Sequence, residues 1–151
     1  MGWFSRTRTP KDDWSAMSSV TRVEAKLQEL GEITPARRAG LIYTDSAEIT
    51  FLSNIETELK TVLHEGEGAT KTAFSIKDDD RGMRWIILED GNFNDLVSSV
   101  YTVGNAIDSN QGGDNLLAAV FEMYFTGEVD DRTFRSGLRT YWIYRLSLIH
   151  I

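Results

Sequence analysis

The sequence predicts one α+β domain, a single mixed or antiparallel β-sheet of about five strands with three helices packed on it, in the order α-β-α-β-β-α-β-β. Its 151 residues are the usual size of one domain with one core. Segments of helical period alternate with short β-prone runs, and neither an internal repeat nor a domain-length linker interrupts them. Hairpin-like pairs of runs in the middle and at the end favour antiparallel neighbours over a doubly wound sheet, and neither a GxGxxG string nor a P-loop string occurs.

Residues 1–11 read as a flexible leader and residues 12–145 as the domain. Asp12 or Asp13 can cap a first helix that Gly31 closes after Leu30, with Trp14, Met17, Val20, Val23, Leu27 and Leu30 forming one apolar stripe. Ala39 to Tyr43 is the first expected strand. A second helix is expected over 46–64, where Ile49, Leu52, Ile55, Leu59 and Leu63 keep helical spacing before the Glu-Gly-Glu-Gly break. Thr72–Ile76 and Met83–Leu88 flank the polar turn 77–82 as a hairpin, the second run being continuously apolar and therefore the more buried.

A third helix is expected to end near Asp108, carrying Phe93, Leu96, Val97, Val100, Tyr101, Val103 and Ile107, and Gly112 and Gly113 break it. Leu116–Phe125 is almost wholly apolar and reads as a central strand, 126–139 as a polar loop, and Tyr141–Tyr144 as an aromatic strand. The last six residues, LSLIHI, coincide with one reading frame of CTG TCT CTT ATA CAC ATC, a transposase adapter end used in sequencing libraries. They are expected to be foreign, with Arg145 the last genuine residue; a genuine apolar strand end is the alternative.

Composition narrows the chemistry. Without cysteine there is no disulfide, thiolate nucleophile or sulfur-ligated metal. The opening residues lack the apolar core of a signal peptide, and the longest apolar run, Leu116–Phe121, is far too short to span a bilayer, so a cytoplasmic protein is expected. The net charge is -7; Arg6, Arg8 and Lys11 make the leader +3 and leave -10 elsewhere, which disfavours a nucleic-acid partner. Trp3 and Phe4 beside those basic residues offer at most a weak peripheral contact with an anionic membrane, a few charges worth about 1 kcal/mol each; plain disorder is the simpler reading.

Candidate catalytic groups are sparse. His150 falls in the suspect tail, which leaves His64 at a helix C-terminus, where a capping role suits an imidazole better than general-base catalysis without a nucleophile elbow. Asp78, Asp79 and Asp80 lack the further ligands of a calcium loop and read as a solvated hairpin turn. Trp85 and Trp142 are expected to be core or sheet-packing residues. The chain is therefore expected to be non-catalytic, with no cofactor.

From Thr34 to Arg145 the order of blocks resembles the PspA-associated protein family, found with the phage-shock protein A membrane-stress system. TPARRAGLIY at 34–43 contributes Thr34, Pro35 and Gly40; DDRGMRWIILED at 79–90 contributes Asp80, Gly82 and Trp85. DLVSSVYTVGNAI at 95–107 contributes Asp95 and Leu96, LLAAVF at 116–121 Leu116 and Leu117, and YWIY at 141–144 Tyr141, Trp142 and Tyr144. Arg81 and Met83 stand where the family has aromatic residues, the first helix matches only in general character, and the basic-Gly-aromatic-Pro-Phe segment that follows the late strand in the family does not occur.

The resemblance implies an accessory adaptor of envelope-stress response whose partner is a phage-shock protein A-like protein or an HtpX-type membrane protease. The quoted positions are expected to define the fold, and no catalytic residue is carried over. The alternatives are a secretion-chaperone-like or YbjN-like client-binding domain, and an enzyme with carboxylate chemistry near Asp78–Asp80.

Overall fold

The computed structural model describes residues 33–65, 69–125, 128–129, 132–133 and 138–145. The leader, the expected first helix and the adapter-like tail lie outside the described residues. Strand β1 (Ile33–Thr44) is followed by the short helix α1 (Thr50–Ser53), helix α2 (Ile55–His64), and the hairpin β2 (Ala73–Asp78) and β3 (Met83–Glu89). Helix α3 (Phe93–Ile107) leads through a π-helical turn and a 3-10 turn to β4 (Leu116–Phe125), a small ribbon β5 (Glu128–Val129) and β6 (Arg132–Thr133), and β7 (Leu138–Arg145).

Five strands form one sheet in the order β2-β3-β1-β4-β7, with every neighbouring pair antiparallel. This is the expected α+β architecture. The centre, however, is β1, with β4 beside it. β1 is also longer than the expected 39–43, because Pro35, Arg37 and Arg38 disguise its first half. Pairing with β3 begins only at Arg38, so Pro35, which has no N–H to give, lies where β1 pairs with β4 alone. The register shifts between Pro35 and Ala39, and Arg37 takes φ 67° while its carbonyl accepts from Asp90 N at 3.1 Å.

The helix expected over 46–64 is corrected to two pieces. Residues 46–49 form a turn that starts on Asp45, whose Oδ1 accepts from Ser46 N at 2.8 Å, and Asn54 separates α1 from α2 at φ -115°, ψ 30°. The apolar stripe survives the break: Leu52, Ile55, Leu59 and Leu63 are all buried. α3 is capped by Asn92, whose Oδ1 accepts from Asp95 N at 3.0 Å. Tyr101, expected on its apolar face, is exposed instead. The 126–139 segment, expected as a plain loop, contains the β5–β6 ribbon, and β7 extends beyond 141–144 at both ends.

Strand parity divides the sheet into two faces. Ala39, Leu41 and Tyr43 of β1 pair with Leu88, Ile86 and Arg84 of β3, and with Phe121 and Ala119 they meet the helices. Phe93 of α3 meets Phe121 edge-on, with ring centroids 6.0 Å apart. The continuous apolar run in β3 is only half as buried as expected: Ile86 and Leu88 are fully buried, whereas Trp85 and Ile87 on the other parity are partly exposed.

Candidate functional site

That second parity forms the candidate site. Gly40 and Ile42 of β1, Trp85 and Ile87 of β3, Val120 of β4, and Tyr141 and Ile143 of β7 line a trough of about 450 Å3 across the middle of the sheet. Gly40 fits closely under Trp85. A Cβ there would stand 3.0 Å from Trp85 Cε3 and 3.2 Å from Cζ3, so the bare backbone lets the indole lie close over the strand. Tyr141 and Ile143 remain 51% and 66% exposed, an unusual load of apolar surface for a strand at the edge of the sheet among the described residues.

One end of the trough is charged. Arg38 Nη1 lies 3.8 Å from Glu122 Oε2, and Arg38 Nε lies 3.9 Å from Glu89 Oε2. Glu122 is buried and Arg38 half exposed, so the guanidinium places a cation at the rim while compensating a carboxylate inside it. The bulge at Arg37 shifts the register just before this residue.

The hairpin tip behaves as a turn. Asp79 Oδ1 accepts from Arg81 N at 2.8 Å and Met83 N at 3.0 Å, and Oδ2 accepts from Trp85 Nε1 at 3.4 Å. These donors, the Arg81 amide foremost, hold the Asp79 carboxyl below the usual aspartate range against a smaller opposing effect of burial. Gly82 follows at φ +79°, a conformation suited to glycine. Asp78 Oδ1 accepts from Arg84 Nε at 2.7 Å, and Arg84 also reaches Asp45 Oδ2 at 3.5 Å and lies over the Tyr43 ring. Burial pushes the Tyr43 hydroxyl up, against the pull of Arg84. Asp78, Asp79 and Asp80 do not line the trough; Asp79 touches it only through the Trp85 indole.

His64 ends α2, and its Nε2 lies 2.8 Å from the Thr72 carbonyl, tying the helix end to the strand that follows. A hydroxyl network continues inward. Thr72 Oγ1 donates to Asp90 Oδ2 at 2.6 Å, and the Ser99 hydroxyl is 2.6 Å from Thr72 Oγ1 and 3.4 Å from Thr70 Oγ1. Thr72 and Ser99 are fully buried, so the network clamps the entry to β2 against α3. Among the described residues no group of histidines and carboxylates has the arrangement of a metal site, and no helix is long and apolar enough to cross a membrane.

The structure gathers three of the sequence-singled positions, Gly40, Trp85 and Tyr141, at the trough. Trp85 was expected to be a core or sheet-packing residue; one side of its indole packs on the sheet over Gly40 and part remains exposed. The others are dispersed. Thr34 and Pro35 open β1, Asp80 and Gly82 form the hairpin tip, and Asp95 and Leu96 lie in the first turn of α3. Leu116 is buried at the start of β4 with Leu117 half buried beside it. The backbones of Trp142 and Tyr144 pair with Phe121 and Ala119. Trp3, Phe4, Arg6, Arg8 and Lys11 lie outside the described residues.

Arg38, Ile42, Ile87, Val120, Glu122 and Ile143 were not singled out in the sequence. Their signal was available in the interior strands, which carry apolar residues at both parities, as in Leu41–Ile42 and Ile86–Ile87. No curated protein and no solved structure gives a significant match to the chain. The family model for PspA associated protein B matches residues 1–147, extending over the first segment where the resemblance was only general and over the aromatic strand that borders the trough. The chain belongs to the PspA associated protein B family.

Proposed function

We propose that the chain is a non-catalytic adaptor of envelope-stress response that binds a phage-shock protein A-type partner through the open face of its sheet. The observation that carries this reading is the trough itself: a concave apolar surface with Trp85 and Tyr141 along it and Ile143 66% exposed beside it. Family membership supports the partner class. Aromatic and aliphatic anchors around a shallow groove suit the apolar stripe of an amphipathic helix, and the Arg38–Glu122 pair at one end would set its direction.

In this reading the protein acts on the cytoplasmic side of the membrane, takes no cofactor, and alters its partner's activity by occupancy. An HtpX-type membrane protease is the second candidate partner, distinguished by the same binding measurement. Completing the burial of an isoleucine that is one-third covered contributes about 1–2 kcal/mol, about ten-fold in affinity. Ile143→Asp should therefore weaken binding to the phage-shock protein A-type protein, measured by titration calorimetry, by at least about that factor. An unchanged affinity would remove the open face from the interface.

A further inference from the structure

We infer that the partner helix carries a lysine or arginine one turn from the apolar side chain it seats in the trough, and that this cation docks on the carboxylates at the trough's charged end; the inference rests on the function proposed above. The strand register arranges the open face in rows. Ile87, Gly40, Val120 and Ile143 stand side by side, Gly40 being paired with both Ile87 and Val120, and Val120 with Ile143. On one side of this uncharged row lie Trp85, Ile42 and Ala118, uncharged again. On the other side Glu89 of β3 pairs with Arg38 of β1, whose guanidinium also reaches Glu122 of β4.

That third row has an acidic balance. Two carboxylates share one guanidinium, at 3.8 and 3.9 Å, so the three charges sum to -1. Glu122 is buried and has the greater need of Arg38, because a carboxylate removed from water is costly without a counter-ion. Glu89 stands exposed at the rim, within reach of a cation brought by another molecule. A partner carboxylate at the same place would meet two acids for one guanidinium. The net charge of -7 over the whole chain acts in the same direction and steers basic partners toward it.

Spacing turns the charge into a recognition pattern. Successive residues on one face of a strand are about 6.7 Å apart, and one helical turn rises about 5.4 Å. A helix lying along the strands with an apolar side chain on the Gly40 row therefore brings the residue three or four positions away over the Glu89–Arg38–Glu122 row. A long lysine or arginine stem makes up the small difference and lays its methylenes on the apolar floor. The turn on the opposite side falls over Trp85 and Ile42 and calls for a second apolar residue. The partner sequence is thus basic, apolar, apolar at one-turn intervals.

Glu89→Lys reverses the rim charge at an exposed position, and Glu56→Lys makes the same change of net charge on an exposed position of α2. Both variants and wild type are titrated with the phage-shock protein A-type protein at low salt and at about 0.5 M salt, where rim charges are screened. At low salt Glu89→Lys should weaken binding by about five- to ten-fold and Glu56→Lys by less than about two-fold, with the difference narrowing at high salt. Glu89→Gln, which removes the charge and keeps the shape, should fall between, at about three-fold, and it carries the test if the reversal fails to fold. Unchanged or tighter binding by the Glu89 variants, or equal losses at Glu89 and Glu56, overturns the inference. If Ile143→Asp weakens binding while Glu89→Lys does not, the docking cation is overturned and the proposed function stands; if wild type does not bind, both fail.

Discussion

Thr72→Val replaces a buried hydroxyl with a methyl of nearly the same volume and so isolates the hydrogen-bond network between β2 and α3. Thr72 Oγ1 has two partners at 2.6 Å, Asp90 Oδ2 and Ser99 Oγ. A hydrogen bond to a carboxylate contributes about 1.5–3 kcal/mol and a neutral one about 1 kcal/mol. Asp90 is only half buried and can recruit water, which places its bond at the lower end of that range. Ser99 is fully buried and keeps only the longer 3.4 Å contact with Thr70. The expected loss is therefore about 2–3 kcal/mol, measured by urea unfolding at neutral pH with an unchanged m-value. Ser99→Ala should cost about 1 kcal/mol, and the double variant should show coupling of about 1 kcal/mol because the two substitutions remove one shared bond. A Thr72→Val protein within about 0.5 kcal/mol of wild type would refute the assignment of this network as the clamp.

Arg37 holds φ 67°, so Arg37→Gly should stabilise the chain by up to about 1 kcal/mol in the same assay, and a loss of stability would mean that its side chain is needed at the bulge. Because the Asp79 carboxyl is held below its ordinary range, its charge contributes stability that is present above the ordinary aspartate value and lost as pH falls through the lowered one. The stability gap between wild type and Asp79→Asn should therefore be constant near neutrality and shrink only on acidification below about pH 4, the ordinary aspartate range; a gap that already narrows well above that pH contradicts this. Removing the charge of Arg6, Arg8 and Lys11 by triple substitution to Gln should abolish any binding to anionic vesicles in a flotation assay, and equal binding by both proteins would dismiss a membrane role for the leader.

Periodicity and turn chemistry made most of the architecture legible. The hairpin around Asp79–Gly82, the stripe of α3 and the strand at 116–125 are local patterns that their own residues dictate. What escaped were features decided by neighbours. The first half of β1 looks like a loop because Pro35 and Arg37 are tolerated only where β3 has ended and a bulge begins. Asn54 breaks the helix at 46–64 without disturbing its apolar spacing, so the stripe gave no warning.

The trough was hidden for a different reason. It joins residues from four strands, and which strand lies beside which is a property of the topology. Trp85 could not be assigned to core or surface without knowing that Gly40 lies beneath it. The two-sided apolarity of β1, β3 and β4 was the one sequence signal of this face.

The most direct test of the account is to map the partner's footprint by amide chemical shifts while the phage-shock protein A-type protein is titrated into the labelled chain. Perturbations should concentrate at Gly40, Ile42, Ile87, Val120 and Ile143, with Ser98 and Thr102 on the outer side of α3 unmoved. A footprint confined to the α3 side, or no perturbation at saturating partner, would contradict the claim that the open face of the sheet is the binding surface.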